Sequence, residues 1–155
     1  MKVSIIMGSV SDYDVMSGAE QILDSFGIAY EKKVISAHRT LDYMCEYVKG
    51  ARQRGIGVII AGAGGAAHLA GVAAGLTTLP VIAVPIQTKT LGGLDSLLSM
   101  VQMPTGIPVA TVAIGGARNA AILAAEILAL SDEGISKALD DYREEQRKKV
   151  LSANI

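Results

Sequence analysis

A parallel, doubly wound α/β sheet is the architecture this sequence predicts, and three observations predict it. Short runs rich in β-branched residues recur along the chain, segments with helical apolar spacing separate them, and polar or glycine-containing loops follow the runs. The runs do not alternate strictly between apolar and polar, which predicts strands covered on both faces.

The first run, Val3 to Met7, is the first strand. Val15, Met16, Ala19, Ile22, Leu23 and Phe26 then form one helical stripe, and Gly27 stands where that helix would stop. A second strand is read over Tyr30 to Ile35, followed by a stripe of Leu41, Met44, Tyr47, Val48 and Ala51 that stops near Gly55. Val58 to Ala61, Val81 to Ile86 and Val109 to Ile114 supply the remaining strands. Ala117 to Leu130 is apolar almost all round, which predicts burial against more than its own sheet. Ser131 to Ser152 is charged and amphipathic, with Ile135, Leu139 and Tyr142 on one side; it is read as a C-terminal extension, over about 131–155, that packs on a neighbouring subunit, with a helix folded back on its own domain as the near-equal alternative.

A length of 155 residues predicts one domain spanning 1–155. Only 19% of the residues are charged, against roughly 25% in typical soluble domains, so an isolated copy would have little charge with which to coat its surface. That composition favours a homo-oligomer. A net charge of -1 gives no footprint for nucleic acid or an anionic membrane. The single cysteine, Cys45, excludes an intrachain disulfide and a thiolate metal cage, and fits a reducing cytoplasm. Neither a signal peptide nor a membrane-spanning run is evident.

Ligands of open α/β sheets bind beyond the carboxyl ends of the strands, near the point where strand order reverses. The polar residues collect there. Gly8, Ser9, Ser11 and Asp12 follow the first strand and suit an anion at a helix start, or else Ser11 and Asp12 simply cap that helix. Asp12, being anionic, is a better acceptor for sugar hydroxyls than for phosphate. Ser36, His38, Arg39 and Thr40 follow the second strand: Arg39 has the planar fork that matches phosphate, and His38 can carry protons near neutral pH or serve as a satisfied histidine at a strand end.

The third loop, Gly62 to His68, formally contains G-x-G-x-x-A, but a dinucleotide fingerprint belongs on the first turn and needs an acidic residue about 20 positions later. Gln87 stands there instead, so Gly64 and Gly65 are read as giving backbone access to a small planar group such as a carboxylate. His68 is read as a neighbour of that group or, with slightly more weight, as a core histidine. No ligand spacing for a metal and no G-x-S-x-G elbow is present.

The segments "MGSVSD", "SAHRT", "IIAGAGGAAHL", "LDSLLSMVQMP" and "IPVATVAIG", in this order and at these spacings, resemble the signatures of the PurE family in its class I branch. The resemblance runs from about residue 3 to residue 130. It implies a flavodoxin-like three-layer sandwich assembled as an octamer. It also implies conversion of N5-carboxyaminoimidazole ribonucleotide to 4-carboxy-5-aminoimidazole ribonucleotide through transient CO2, without metal, ATP or biotin. By motif it places the catalytic histidine at His38, nucleotide contacts at Ser9, Asp12 and Arg39 with Ser11 and Ser36 alongside, and a carboxylate or CO2 pocket at Gly64, Gly65 and His68. Thr88 to Gly93 is expected to be a mobile cover. Direct carboxylation by the class II route and a non-catalytic nucleotide-binding module are the alternatives.

The chain departs from the family pattern at Leu41 and Ala70, where proline is usual, at Thr105, where glycine is usual, and in a short Gly115-Gly116-Ala117 stretch. Loss of a proline at a compatible site softens a helix start by about 0.4 to 1 kcal/mol through the unfolded chain.

Overall fold

The computed structural model describes residues 1–153; positions 154 and 155, the end of the expected C-terminal extension, lie outside the described residues. Five strands, β1 (Lys2–Met7), β2 (Tyr30–Val34), β3 (Ile56–Gly64), β4 (Val81–Ile86) and β5 (Ala110–Thr111), form one sheet in the order β2-β1-β3-β4-β5. Every pairing is parallel. The strands are connected by α1 (Tyr13–Ser25), α2 (Leu41–Lys49), α3 (Leu69–Leu76) and α4 (Leu94–Val101), and β5 is followed by α5 (Ala117–Ala129) and α6 (Glu133–Leu151). This strand order is that of flavodoxin-like folds.

Two cores flank the sheet because successive strand residues face opposite sides. Val3, Ile5, Val58, Ile60, Ile82 and Val84 pack with α1 and α5. Ile6, Ile59, Ala61, Val81 and Ala83 pack with α2, α3 and Met100 of α4. Ala120, Ala121, Ala124 and Ala125 are fully buried, and α5 touches α1, α6 and the sheet, as its all-round apolar sequence predicts. The first half of α6 folds back on its own chain: Leu139 is buried, and Tyr142 meets Phe26 edge-on with ring centroids 5.4 Å apart. Beyond Tyr142 the described helix is exposed.

Coverage on both faces holds for β1, β3 and β4 but fails for β2. Its Lys32, Lys33 and Val34 are exposed, because β2 is an edge strand. Charge replaces apolar burial there. Lys32 pairs with Glu20 at 2.6 Å, and Glu31 pairs with Lys2 at 2.9 Å and with Arg54 at 3.1 Å. Tyr47 on α2 donates to Glu31 at 2.6 Å and meets the Ser4 hydroxyl at 2.9 Å, tying α2 to the edge. Burial and the Glu31 carboxylate together push the Tyr47 phenol up to about 12.

The fifth strand is also shorter than expected. Its ladder stops at Thr111, although Val112 N–H still reaches Ala83 C=O at 3.0 Å and Gly115 N–H reaches Pro85 C=O at 2.9 Å. Pro85 faces this edge and has no N–H to give it, which interrupts the alternation of donor and acceptor. Gly115 and Gly116 therefore lead directly into α5, and Leu41 and Ala70 sit within the first turns of α2 and α3.

Gly62, in the middle of the sheet at the end of β1's pairing with β3, has no room for a side chain because Met16 of α1 lies against its Cα. The Met16 side chain, buried in the core between α1 and the sheet, occupies the space a side chain at Gly62 would take. Gly62→Ala is expected to lower stability by about 1 to 3 kcal/mol through overpacking. A thermal melt reads this, and an unchanged midpoint would contradict the tight contact.

Candidate active site

The reversal of strand order between β1 and β3 opens a cleft of about 560 Å³ at the carboxyl ends of the strands. Gly8, Ser9, Ser11 and Asp12 line it from the first loop, Ser36, His38 and Arg39 from the second, Gly64, Ala66 and His68 from the third, and Gln87 from the fourth. Each site residue read from the sequence is on that lining except Gly65, which stands just behind it. A larger hollow of about 990 Å³ lies at the other end of the sheet, among Leu76, Leu79, Pro80, Ile82 and Ile107. It has no histidine, carboxylate or thiol on its wall, so it lacks groups for proton transfer near neutral pH.

The first loop is a capping box. Ser9 N–H donates to Asp12 at 3.0 Å, while Ser9 Oγ accepts from Ser11 N–H at 3.3 Å and from the Ser11 hydroxyl at 3.0 Å. Capping and ligand binding are therefore compatible here, since the same residues do the first and still line the cleft. Asp12 is buried, and that burial raises its carboxyl above its ordinary value despite the opposing bonds from the Ser9 and Gly8 backbone.

Arg39 joins two loops. Its backbone N–H and Nε both donate to Ser36 Oγ at 3.2 Å, and its Nη2 reaches across to the Gly8 carbonyl at 3.1 Å. No described carboxylate pairs with it, so the guanidinium retains donors for an anion held between the loops. Thr40 Oγ1 closes the turn on the Ser36 backbone, accepting at 3.1 Å and donating at 3.0 Å.

His38 and His68 meet across the cleft, with Nε2 and Nδ1 2.9 Å apart and ring planes 82° from parallel. One ring donates and the other accepts. This corrects the reading of His68 as a core histidine: its side chain is exposed at the start of α3, because buried Ala67 and Leu69 on either side take the inward positions. His68 supplies no side-chain cap, so the first amides of α3 stay available at the cleft.

The expected cover, 88–93, is a turn organised by Thr88. Its Oγ1 accepts from Leu91 N–H at 3.4 Å and Gly93 N–H at 3.3 Å and donates to Asp95 at 2.8 Å. Sequence reasoning assigned no role to Ser96, a fully buried hydroxyl behind the third loop, although it lies within the quoted segment LDSLLSMVQMP. It also assigned no role to Gln87. Among the described residues no group of three or more His, Cys, Asp or Glu side chains stands close enough to hold a metal, and no helix is long and apolar enough to cross a membrane.

With this geometry established, the family profile described as AIR carboxylase matches residues 2–149. The chain belongs to the AIR carboxylase family. It is 59% identical over 154 residues to an N5-carboxyaminoimidazole ribonucleotide mutase of Bacillus subtilis, covering 98% of this chain and 95% of that protein. A mutase of the same description from Pyrococcus abyssi is 61% identical over 147 residues, covering 95% of this chain and 84% of that one. Among solved structures, Treponema denticola PurE superposes with a TM-score of 0.86 at 31% identity, over 96% of this chain and 93% of that chain. The family resemblance read from five sequence segments is thereby shown, and the flavodoxin-like fold with it.

Because Asp12 is held above its ordinary value, the folded state keeps its proton more readily than the unfolded state does; stability from this group is full at low pH and is lost as pH rises through the carboxylate range. Asp12→Asn keeps an acceptor for Ser9 N–H and removes that charge. Its melting temperature relative to the unaltered protein is expected to be more favourable at pH 7.5 than at pH 4, and a difference independent of pH would contradict the burial cost.

Proposed function

We propose that this chain is an N5-carboxyaminoimidazole ribonucleotide mutase, moving the carboxyl group from the exocyclic nitrogen to ring carbon C4, with His38 as the acid and then the base. The observation that carries the reading is the placement of His38 and Arg39, adjacent in sequence, on one cleft with the serine loop, to which Arg39 is tied through Gly8, and with the third loop, whose His68 meets His38. High identity to mutases from Bacillus subtilis and Pyrococcus abyssi supports the same activity.

In this reading the 5′-phosphate lies between Arg39, Ser9 and Ser11, with Ser36 holding the guanidinium, and Asp12 accepts from the ribose hydroxyls. The base then extends toward His38 and the third loop. His38 as imidazolium gives its proton to the exocyclic nitrogen. The N–C bond of the carbamate breaks, its electron pair stays on nitrogen, and CO2 is released. Electrons of the ring's C4–C5 double bond attack CO2 to form the new C–C bond, and the neutral imidazole removes the C4 proton as that double bond re-forms. Protons given and taken balance. A positioned acid–base group contributes about 10² to 10⁴-fold, so much of the remaining acceleration belongs to confinement of ring and CO2. CO2 has no charge to grip, so the backbone at Gly64 and Gly65, with His68, must form a close wall, and the 88–93 turn is the candidate cover.

Assembly as a homo-octamer in the cytoplasm, with the single domain 1–155 as its unit, belongs to the same proposal. Leu91, Leu94 and Leu98 are each more than half exposed beside the cleft, and α6 beyond Arg143, which pairs with Glu126 of α5, is exposed. Both surfaces are available to neighbouring copies.

Purified protein supplied with N5-carboxyaminoimidazole ribonucleotide is expected to form the C4-carboxylated product without added bicarbonate. Formation only from aminoimidazole ribonucleotide plus bicarbonate would favour the direct carboxylation route. His38→Asn is expected to lower turnover by at least about 10²-fold while nucleotide binding persists; retained turnover would refute the assignment. Arg39→Ala is expected to raise the Michaelis constant about tenfold or more, the cost of a charge-assisted contact. An unchanged constant would place the phosphate elsewhere.

A further inference from the structure

Ser96 is fully buried on α4, outside the cleft, and both hydrogen-bonding roles of its hydroxyl are used. Oγ accepts from Gly65 N–H at 2.9 Å and donates to Ile86 C=O at 2.7 Å. The first bond reaches the third loop and the second reaches the end of β4, just before Gln87. One side chain therefore fixes two walls of the cleft against each other.

The first bond holds the Gly64–Gly65 peptide unit, and the next unit, Gly65–Ala66, is held by other partners. Gly65 adopts the left-handed conformation, φ 70°, and its C=O accepts from Ala67 N–H at 2.8 Å while facing the Ser99 hydroxyl at 3.3 Å. The described residues have no cis peptide bond. In a trans unit the N–H points opposite to the C=O. With the Gly65 carbonyl turned toward α4, the Ala66 N–H turns away from α4. Ala66 is exposed on the cleft wall, and no described residue accepts from its N–H. Gly64, Ala66 and His68 thus line the cleft, while Gly65 and Ala67 turn to the interior.

We propose that Ser96 is a positioning residue of the carboxyl transfer: it anchors the Gly64–Gly65 unit, and from that anchor the next unit, its carbonyl turned to Ser99, presents the Ala66 N–H to a carboxylate oxygen of the migrating group. This rests on the mutase reading and goes beyond it. A donor held in place before the reaction needs no reorganisation as negative charge grows on the carboxylate. During the CO2 stage, the same wall keeps the neutral molecule beside C4. If the wall loosens, the N–C bond still breaks and nitrogen still receives its proton, but CO2 leaves before the C–C bond forms, and aminoimidazole ribonucleotide is the product.

Ser96→Ala and Ser96→Thr test this with N5-carboxyaminoimidazole ribonucleotide as substrate, measuring both nucleotide products over the uncatalysed background. In Ser96→Ala, kcat for the carboxylated product is expected to fall about tenfold or more with KM within about threefold, and the fraction released as aminoimidazole ribonucleotide is expected to rise. Ser96→Thr, which keeps the hydroxyl, is expected to restore the product ratio. An unchanged ratio in Ser96→Ala, or a parallel loss of kcat and nucleotide affinity, would overturn the proposal. A crystal structure of Ser96→Ala provides a readout independent of turnover: the Gly65 peptide units are expected to rotate, and an unmoved Ala66 N–H would equally overturn it. Absence of mutase activity in the unaltered protein would instead remove the functional reading, leaving the peptide geometry to be judged by that structure.

Discussion

The reversal of strand order between β1 and β3 is the constraint on which the rest depends. From β1 the chain moves outward to the edge at β2 and then returns past β1 to begin β3. Because all the strands are parallel, the loops after them emerge at one end, and the helices that follow diverge to opposite faces. The cleft is the space left by that divergence. Beneath it Met16 of α1 packs on Gly62, in the space a side chain there would need. Arg39 then links the two nearest loops through the Gly8 carbonyl. Sheet topology therefore supplies the juxtaposition, and three or four polar contacts refine it.

The site is assembled from groups that are satisfied locally and still have capacity toward a ligand. Ser9 and Asp12 complete a helix start without leaving the cleft. Ser36 holds the Arg39 side chain by Nε, which leaves most of the guanidinium fork free for an anion. Asp12 is the costly member, because burial opposes its ionised form. A carboxyl kept there against that cost is consistent with its proposed acceptance of sugar hydroxyls. The edge-strand network of Glu31, Tyr47, Lys2 and Arg54 anchors the base of β2, the strand that leads to His38 and Arg39.

Much of this was legible in the sequence, and the reasons differ by element. Strands β1, β3 and β4 are buried on both faces, so their apolar runs identify them; β2 follows a different rule, since an edge strand with Glu31, Lys32 and Lys33 is held by ion pairs rather than by burial. The shortness of β5 depends on a proline in its neighbour, which a one-strand window does not register. Among the site residues, His38, Arg39 and the serines announce themselves because polar residues follow apolar runs at strand ends. His68 was harder: its helix start suggests either face, and only the inward placement of Ala67 and Leu69 settles it. Ser96 was not legible, because a serine in a helix reads as surface until the partners of its hydroxyl are known.

The central claim is that the His38 imidazole faces the heterocycle while Arg39 and the serine loop hold its phosphate. A crystal structure of the protein with aminoimidazole ribonucleotide tests it most directly. The account predicts His38 Nε2 within hydrogen-bond reach of the exocyclic nitrogen or C4, about 2.6 to 3.2 Å or through one water, and phosphate oxygens on Arg39 and Ser9. A phosphate bound elsewhere, or an imidazole turned out of reach of the base, would contradict it.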